Sequence, residues 1–185
     1  MKIFPLLFLL SWMALSFPAL GLPSSFSGPS ALDQSPLSIS TGKKGLVVVF
    51  LSAACPCSNS HLEELRDLEK KYTDFHFVGI HSNRDEERDF SQAYFKKAAL
   101  PFPVLQDHQA KWADELKAFK TPHAYVILPD GKVAYQGGVS DSHELKEAHR
   151  KYLREALDDL AQNRPVKTPR ARAVGCVISR EGSGD

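Results

Sequence analysis

The run Leu46-Val47-Val48-Val49-Phe50-Leu51 has no polar alternation and is β-branched at its middle. A strand wet on one face alternates apolar with polar residues. Six apolar residues in a row therefore predict a strand buried on both faces, as in a parallel sheet covered by helices. The turn Thr41-Gly42-Lys43-Lys44-Gly45 feeds it. Ser52-Ala53-Ala54 ends it, and Cys55-Pro56-Cys57 follows at once. Leu62, Leu65, Leu68 and Tyr72 then share one face of a helix. Ser60 and Glu63 have capping-box spacing, so that helix starts at or before Ser60.

The rest continues in kind. Phe75 to Ile80 is a second strand, and a helix is expected around Phe90 to Ala99. Leu100 to Leu105 is short and extended, and Trp112, Leu116 and Phe119 mark another helix. Thr121-Pro122 breaks the chain before a strand at Ala124 to Leu128. Asp130-Gly131 signals a hairpin returning through Val133 to Tyr135. Asp141 and Glu144 open a last helix whose apolar face is Leu145, Ala148, Tyr152, Ala156 and Leu160, and Asn163-Arg164-Pro165 stops it. A βαβ start with a late hairpin predicts one α/β domain: a central mixed sheet flanked by helices.

The ends fall outside that domain. Lys2, the apolar run Ile3 to Leu15, and the small residues Ala19 and Gly21 have the layout of a signal peptide over residues 1–21, cleaved after Gly21. The alternative is an uncleaved membrane anchor. Residues 22–36 are rich in Ser, Pro and Gly and are expected to be a flexible lead-in. The domain spans 37–162, and 163–185 is an extended tail whose basic residues are solvated. A net charge of +1 gives no reason to expect a nucleic-acid partner, nor a membrane beyond such an anchor. Export predicts a periplasmic or secreted protein in an oxidising compartment, where idle thiols are oxidised. Three cysteines, Cys55, Cys57 and Cys176, leave at least one unpaired within the chain.

Cys55 and Cys57 sit where a strand gives way to a helix. Free backbone N–H groups at a helix N-terminus stabilise an anion, and a thiolate is the attacking species in disulfide exchange and peroxide reduction. Pro56 suits the first helical turn, where no N–H is needed. A disulfide closed within Cys-x-Cys makes a small ring that is easily reduced. The alternative is two inert thiols or a permanent disulfide. His61 follows Cys57 by four residues, and His123 follows Pro122; as an exposed helix residue His61 has no role, whereas facing the thiols either imidazole tunes a thiolate or joins Cys55 and Cys57 around a soft metal such as Cu(I).

These features resemble the thioredoxin-like superfamily, over roughly Leu37 to Gln162. In that family a cysteine motif follows the first core strand, and a cis proline preceded by Thr or a similar residue faces it. Here the resemblance maps that proline onto Thr121-Pro122. The redoxin branch is the best match, with its alkyl hydroperoxide reductase/thiol-specific antioxidant proteins and its periplasmic thiol–disulfide oxidoreductases. Ser52-Ala53-Ala54-Cys55-Pro56 resembles the peroxiredoxin stretch with Thr or Ser three before the attacking Cys, which maps that role onto Cys55. Val174-Gly175-Cys176 resembles a Gly-Cys tail of some redoxin-like proteins. The chain lacks the Trp and the second spacer residue of Trp-Cys-x-x-Cys, and it lacks the peroxiredoxin Arg near Lys120 to Ala124.

The resemblance implies an enzyme: a thiol–disulfide oxidoreductase in which Cys55 attacks, Cys57 resolves and Pro122 shapes the site. Thr121, His123 and Cys176 are accessory candidates. It implies no cofactor, protein thiols or disulfides as substrates, and a separate electron-donor protein. Three alternatives stand beside it: a thiol peroxidase acting on peroxide through Cys55, a Cu(I)-binding assembly protein using Cys55, Cys57 and His123, and a non-catalytic thioredoxin-fold module.

Overall fold

The computed structural model of the chain describes Pro23 and residues 25–180. The signal-peptide reading of 1–21 lies outside the described residues. Among the described residues no helix is long and apolar enough to cross a membrane.

The apolar run becomes β3 (Gly45–Leu51), buried at every position. It pairs in parallel with β4 (Phe75–His81) and antiparallel with β7 (His123–Ile127). β5 (Val104–Gln106) adds to β4 in parallel, and β8 (Val133–Gly137) adds to β7 antiparallel. The sheet order is β5-β4-β3-β7-β8, the mixed sheet expected.

The pleat sends alternate β3 residues to opposite faces. Val47, Val49 and Leu51 meet Leu62, Leu65 and Leu68 of α2 (Leu62–Lys71), Phe95 of α3 (Arg88–Ala98), and Leu153, Ala156 and Leu157 of α5 (Tyr152–Ala161). Leu46, Val48 and Phe50 meet Phe26, Ile178, and Ala113 of α4 (Lys111–Glu115). Two apolar layers thus explain why β3 tolerates no polar residue.

Four expectations are corrected. Of the 22–36 lead-in, residues 25–36 are not loose: β1 (Ser25–Pro29) pairs with β2 (Pro36–Ser40) as a hairpin, and Phe26 is fully buried against Trp112 at 4.7 Å. Phe26, together with buried Ala31, whose N–H donates to the Val104 carbonyl, anchors this Ser/Pro/Gly-rich segment. Phe119 is not on a buried helix face, because α4 stops at Glu115 and left-handed Lys117 turns the chain, leaving Phe119 60% exposed. The last helix starts at Tyr152, not near Asp141. The Asp141 carboxylate instead accepts the N–H groups of His149 and Arg150 and ties down a loop, and the face that buries is Leu153, Ala156 and Leu157. Finally, residues 163–180 of the tail are docked. Its backbone bonds Gln136 on β8, and β9 (Cys176–Val177) pairs antiparallel with β6 (Lys120–Thr121). Ile178 is buried, and Arg180 donates to Asp114 and the Ala118 carbonyl.

Candidate active site

The site lies where β3 ends. Cys55 is the N-cap of α1 (Pro56–Ser60), with extended backbone (φ −85°, ψ 113°) and Pro56 in the first turn. Its thiol accepts the Ser58 N–H at 3.5 Å and lies 3.2 Å from the Thr121 carbonyl, to which it can donate. The Thr121–Pro122 bond is cis. Cys55 and the residue before that proline are therefore in direct contact, across 66 residues of sequence.

Pairing of Thr121 with Cys176 across β6–β9 brings in the tail. Gly175 makes this approach possible. It has φ +145°, and a Cβ there would overlap the Thr121 carbonyl oxygen and touch the Cys57 Cβ. The Sγ atoms of Cys55, Cys57 and Cys176 all lie within 4.8 Å of one another. All three are free thiols; Cys55 is only 2% exposed, and the other two are partly exposed.

Their electrostatics separate them. Burial opposes ionisation of Cys55, but hydrogen bonds from Cys176 and the Ser58 N–H outweigh it and hold its pKa below that of an ordinary thiol. Burial, together with the charge on Cys55, raises Cys57. Burial, the hydrogen bond to Cys55 and the charge on Cys55 push Cys176 up to about 12. One thiolate, on Cys55, is thus favoured in a cluster of three. The Thr121 hydroxyl is buried without a hydrogen-bond partner, and Cys55 meets Thr121 through its carbonyl.

The loop before Cys55 is held by groups with no sequence signal of their own. The Glu86 carboxylate, its side chain 4% exposed, accepts the N–H groups of Ala53 (2.7 Å) and Ala54 (3.3 Å) and the Ser52 hydroxyl, and pairs with His81 Nε2 at 3.1 Å. Burial would raise the Glu86 pKa, yet the bonds from His81 and Ser52 lower it overall. Ser52 is therefore turned to Glu86, away from the role that a peroxiredoxin-like lead-in implies for it.

The histidines sort differently from expectation. His61 is not exposed. It is 1% accessible, with Nδ1 2.7 Å from the Cys57 carbonyl and Nε2 2.7 Å from the Ser140 hydroxyl, and burial lowers its pKa. It is a neutral brace between α1 and the loop after β8. His123 packs its ring on Tyr125 at 4.7 Å, on the Phe50 side of the sheet, and burial lowers it to about 4. The thiol cluster contains Cys176 where the sequence reading placed His123. His143, a residue without any motif, puts Nδ1 3.3 Å from the Cys57 Sγ.

The model of the family described as Redoxin matches residues 17–153, most of the chain. The chain belongs to the redoxin family. Its fold is that of the thioredoxin-like superfamily, as the solved structures agree. An uncharacterized conserved protein from Geobacillus kaustophilus is 25% identical, with a TM-score of 0.77 over 91% of this chain and 95% of its own. A protein assigned as the thiol:disulfide interchange protein DsbE from Chlorobium tepidum is 19% identical, with a TM-score of 0.56 over 77% and 95%. The peroxidoxin BcpB from Mycobacterium tuberculosis is 19% identical, with a TM-score of 0.56 over 78% and 96%. No curated protein matches the chain. At these identities the last two share the fold alone.

Proposed function

We propose that this redoxin is an exported thiol–disulfide oxidoreductase in which Cys55 is the nucleophile and Cys57 the resolving thiol. The observation that carries the reading is geometric: Cys55 caps α1, accepts the Ser58 N–H and touches the Thr121 carbonyl beside cis Pro122, with Cys57 two residues on; this setting favours ionisation of Cys55 over Cys57. The Cys55 thiolate attacks one sulfur of a substrate disulfide. A new S–S bond forms, and the other substrate sulfur leaves as thiolate. Cys55 is then neutral, so one cause of the raised Cys57 pKa disappears. His143 Nδ1, 3.3 Å from the Cys57 sulfur, is placed to take its proton. Cys57 attacks Cys55, the Cys55–Cys57 disulfide closes, and the second substrate sulfur leaves. Two electrons have passed to the substrate, and thiols of an electron-donor protein restore the pair.

Export rests on the layout of residues 1–21. Peroxidase chemistry is disfavoured by the engagement of Ser52 with Glu86 and by the lack of an Arg between Lys120 and Ala124. Insulin reduction by single variants tests the proposal. Cys55→Ser is expected to abolish turnover and Cys57→Ser to accumulate mixed disulfides; unimpaired rates in both variants would reject it.

A further inference from the structure

We infer that Cys55, Cys57 and Cys176 together form a binding site for one Cu(I) ion, held by three sulfurs in a plane. The cluster is built by the fold. Two ligands come from the start of α1 and the third from the tail, 119 residues beyond Cys57 in the sequence. The β6–β9 pairing sets the tail's register, and Gly175 allows its closest approach.

The dimensions suit a metal. A metal–thiolate bond of about 2.3 Å puts the sulfurs of a trigonal site about 4.0 Å apart. All three pairs here already lie within 4.8 Å, so side-chain rotation alone can close the triangle. The donor set selects the ion. Among the described residues the donors that all lie close to one another are the three sulfurs; His143 Nδ1, 3.3 Å from the Cys57 Sγ, is outside that group. Zn(II) in a closed structural site takes four ligands, whereas soft thiolates favour Cu(I), which is content with three. A disulfide accounts for only two of the sulfurs; a metal ion engages all of them. The site deepens the proposed oxidoreductase reading without depending on it, since the thiols bind metal only while reduced. Closing the Cys55–Cys57 disulfide removes two ligands, so the metal-bound and oxidised states exclude each other.

The test is anaerobic titration of the reduced, metal-free chain with Cu(I) against a chromophoric Cu(I) chelator. One equivalent is expected to bind. X-ray absorption on that complex is expected to show three sulfurs at about 2.3 Å and no nitrogen. Cys176→Ser should weaken binding by about 100-fold or more, beyond the loss typical of a supporting partner. His123→Ala should bind as the unaltered chain does, because its ring lies against Tyr125. Cys176→Ser binding as tightly as the unaltered chain would overturn the site, as would a two-sulfur spectrum or preferred loading with Zn(II) through a nitrogen ligand. The spectrum needs no variant, so a poorly folded Cys176→Ser protein leaves the inference testable. Insulin reduction by the metal-free chain reports the oxidoreductase reading separately.

Discussion

Gly175→Ala is the sharpest perturbation of how the tail covers Cys55. Cys55 is 2% exposed, and part of what closes over it is the tail, paired with Thr121. At φ +145° an alanine is strained whatever room it has, and here its Cβ also meets the Thr121 carbonyl. Backbone strain of this kind costs about 1–3 kcal/mol. The tail is held locally by Ile178, whose burial contributes about 1.5–3 kcal/mol. A few backbone bonds, such as that from the Ile178 N–H to the Phe119 carbonyl at 3.0 Å, add about 1 kcal/mol each. Strain and hold are of similar size, so the substitution shifts the local opening equilibrium without unfolding the sheet. At about 1.4 kcal/mol per factor of ten, the open fraction should rise roughly 5- to 100-fold. The assay is the rate of Cys55 alkylation by iodoacetamide, read by mass spectrometry of the Cys55 peptide. An increase of about tenfold or more is expected, with only a small fall in melting temperature. An unchanged or slower rate would refute the reasoning that the tail gates Cys55.

Three further outcomes are expected. Cys176→Ala removes a hydrogen bond that favours the Cys55 thiolate, so the Cys55 titration followed by ultraviolet thiolate absorbance should move to higher pH; a downward move would contradict the assignment. Glu86→Gln should destabilise the chain by about 2–3 kcal/mol in urea denaturation. Because the folded Glu86 pKa is depressed, its contribution is present above the unfolded value near ~4.3 and lost as pH falls through the lower folded value, so the variant should lose that acid-side dependence. His143→Ala should slow resolution of the mixed disulfide by about 100-fold while leaving the first attack intact, seen as a larger trapped intermediate in quenched reactions.

Much of the fold was legible because its signals are local. The six-residue apolar run could only be a strand covered on both faces, and Asp130-Gly131 could only be a tight return. The last helix was misplaced because Asp141 and Glu144 look like a cap, yet Asp141 bonds backbone eight and nine residues on, a choice set by the loop's tertiary path. The tail looked solvated by composition; its docking depends on Ile178 finding the second core face and on Gly175 clearing Thr121. Cys55, Cys57 and Thr121-Pro122 were readable because strand, helix and proline punctuate the chain around them. His143 and Glu86 were not, since an ordinary surface His and one acid among several carry no periodicity, and only the folded chain brings His143 to Cys57 and Glu86 to the loop before Cys55.

The central claim is that Cys55 is the sulfur that attacks. Reduced Cys57→Ser protein, mixed with one equivalent of a model disulfide and mapped by mass spectrometry, tests it most directly. The account predicts the substrate half in a mixed disulfide with Cys55. A substrate adduct on Cys176 with Cys55 still a free thiol would contradict it.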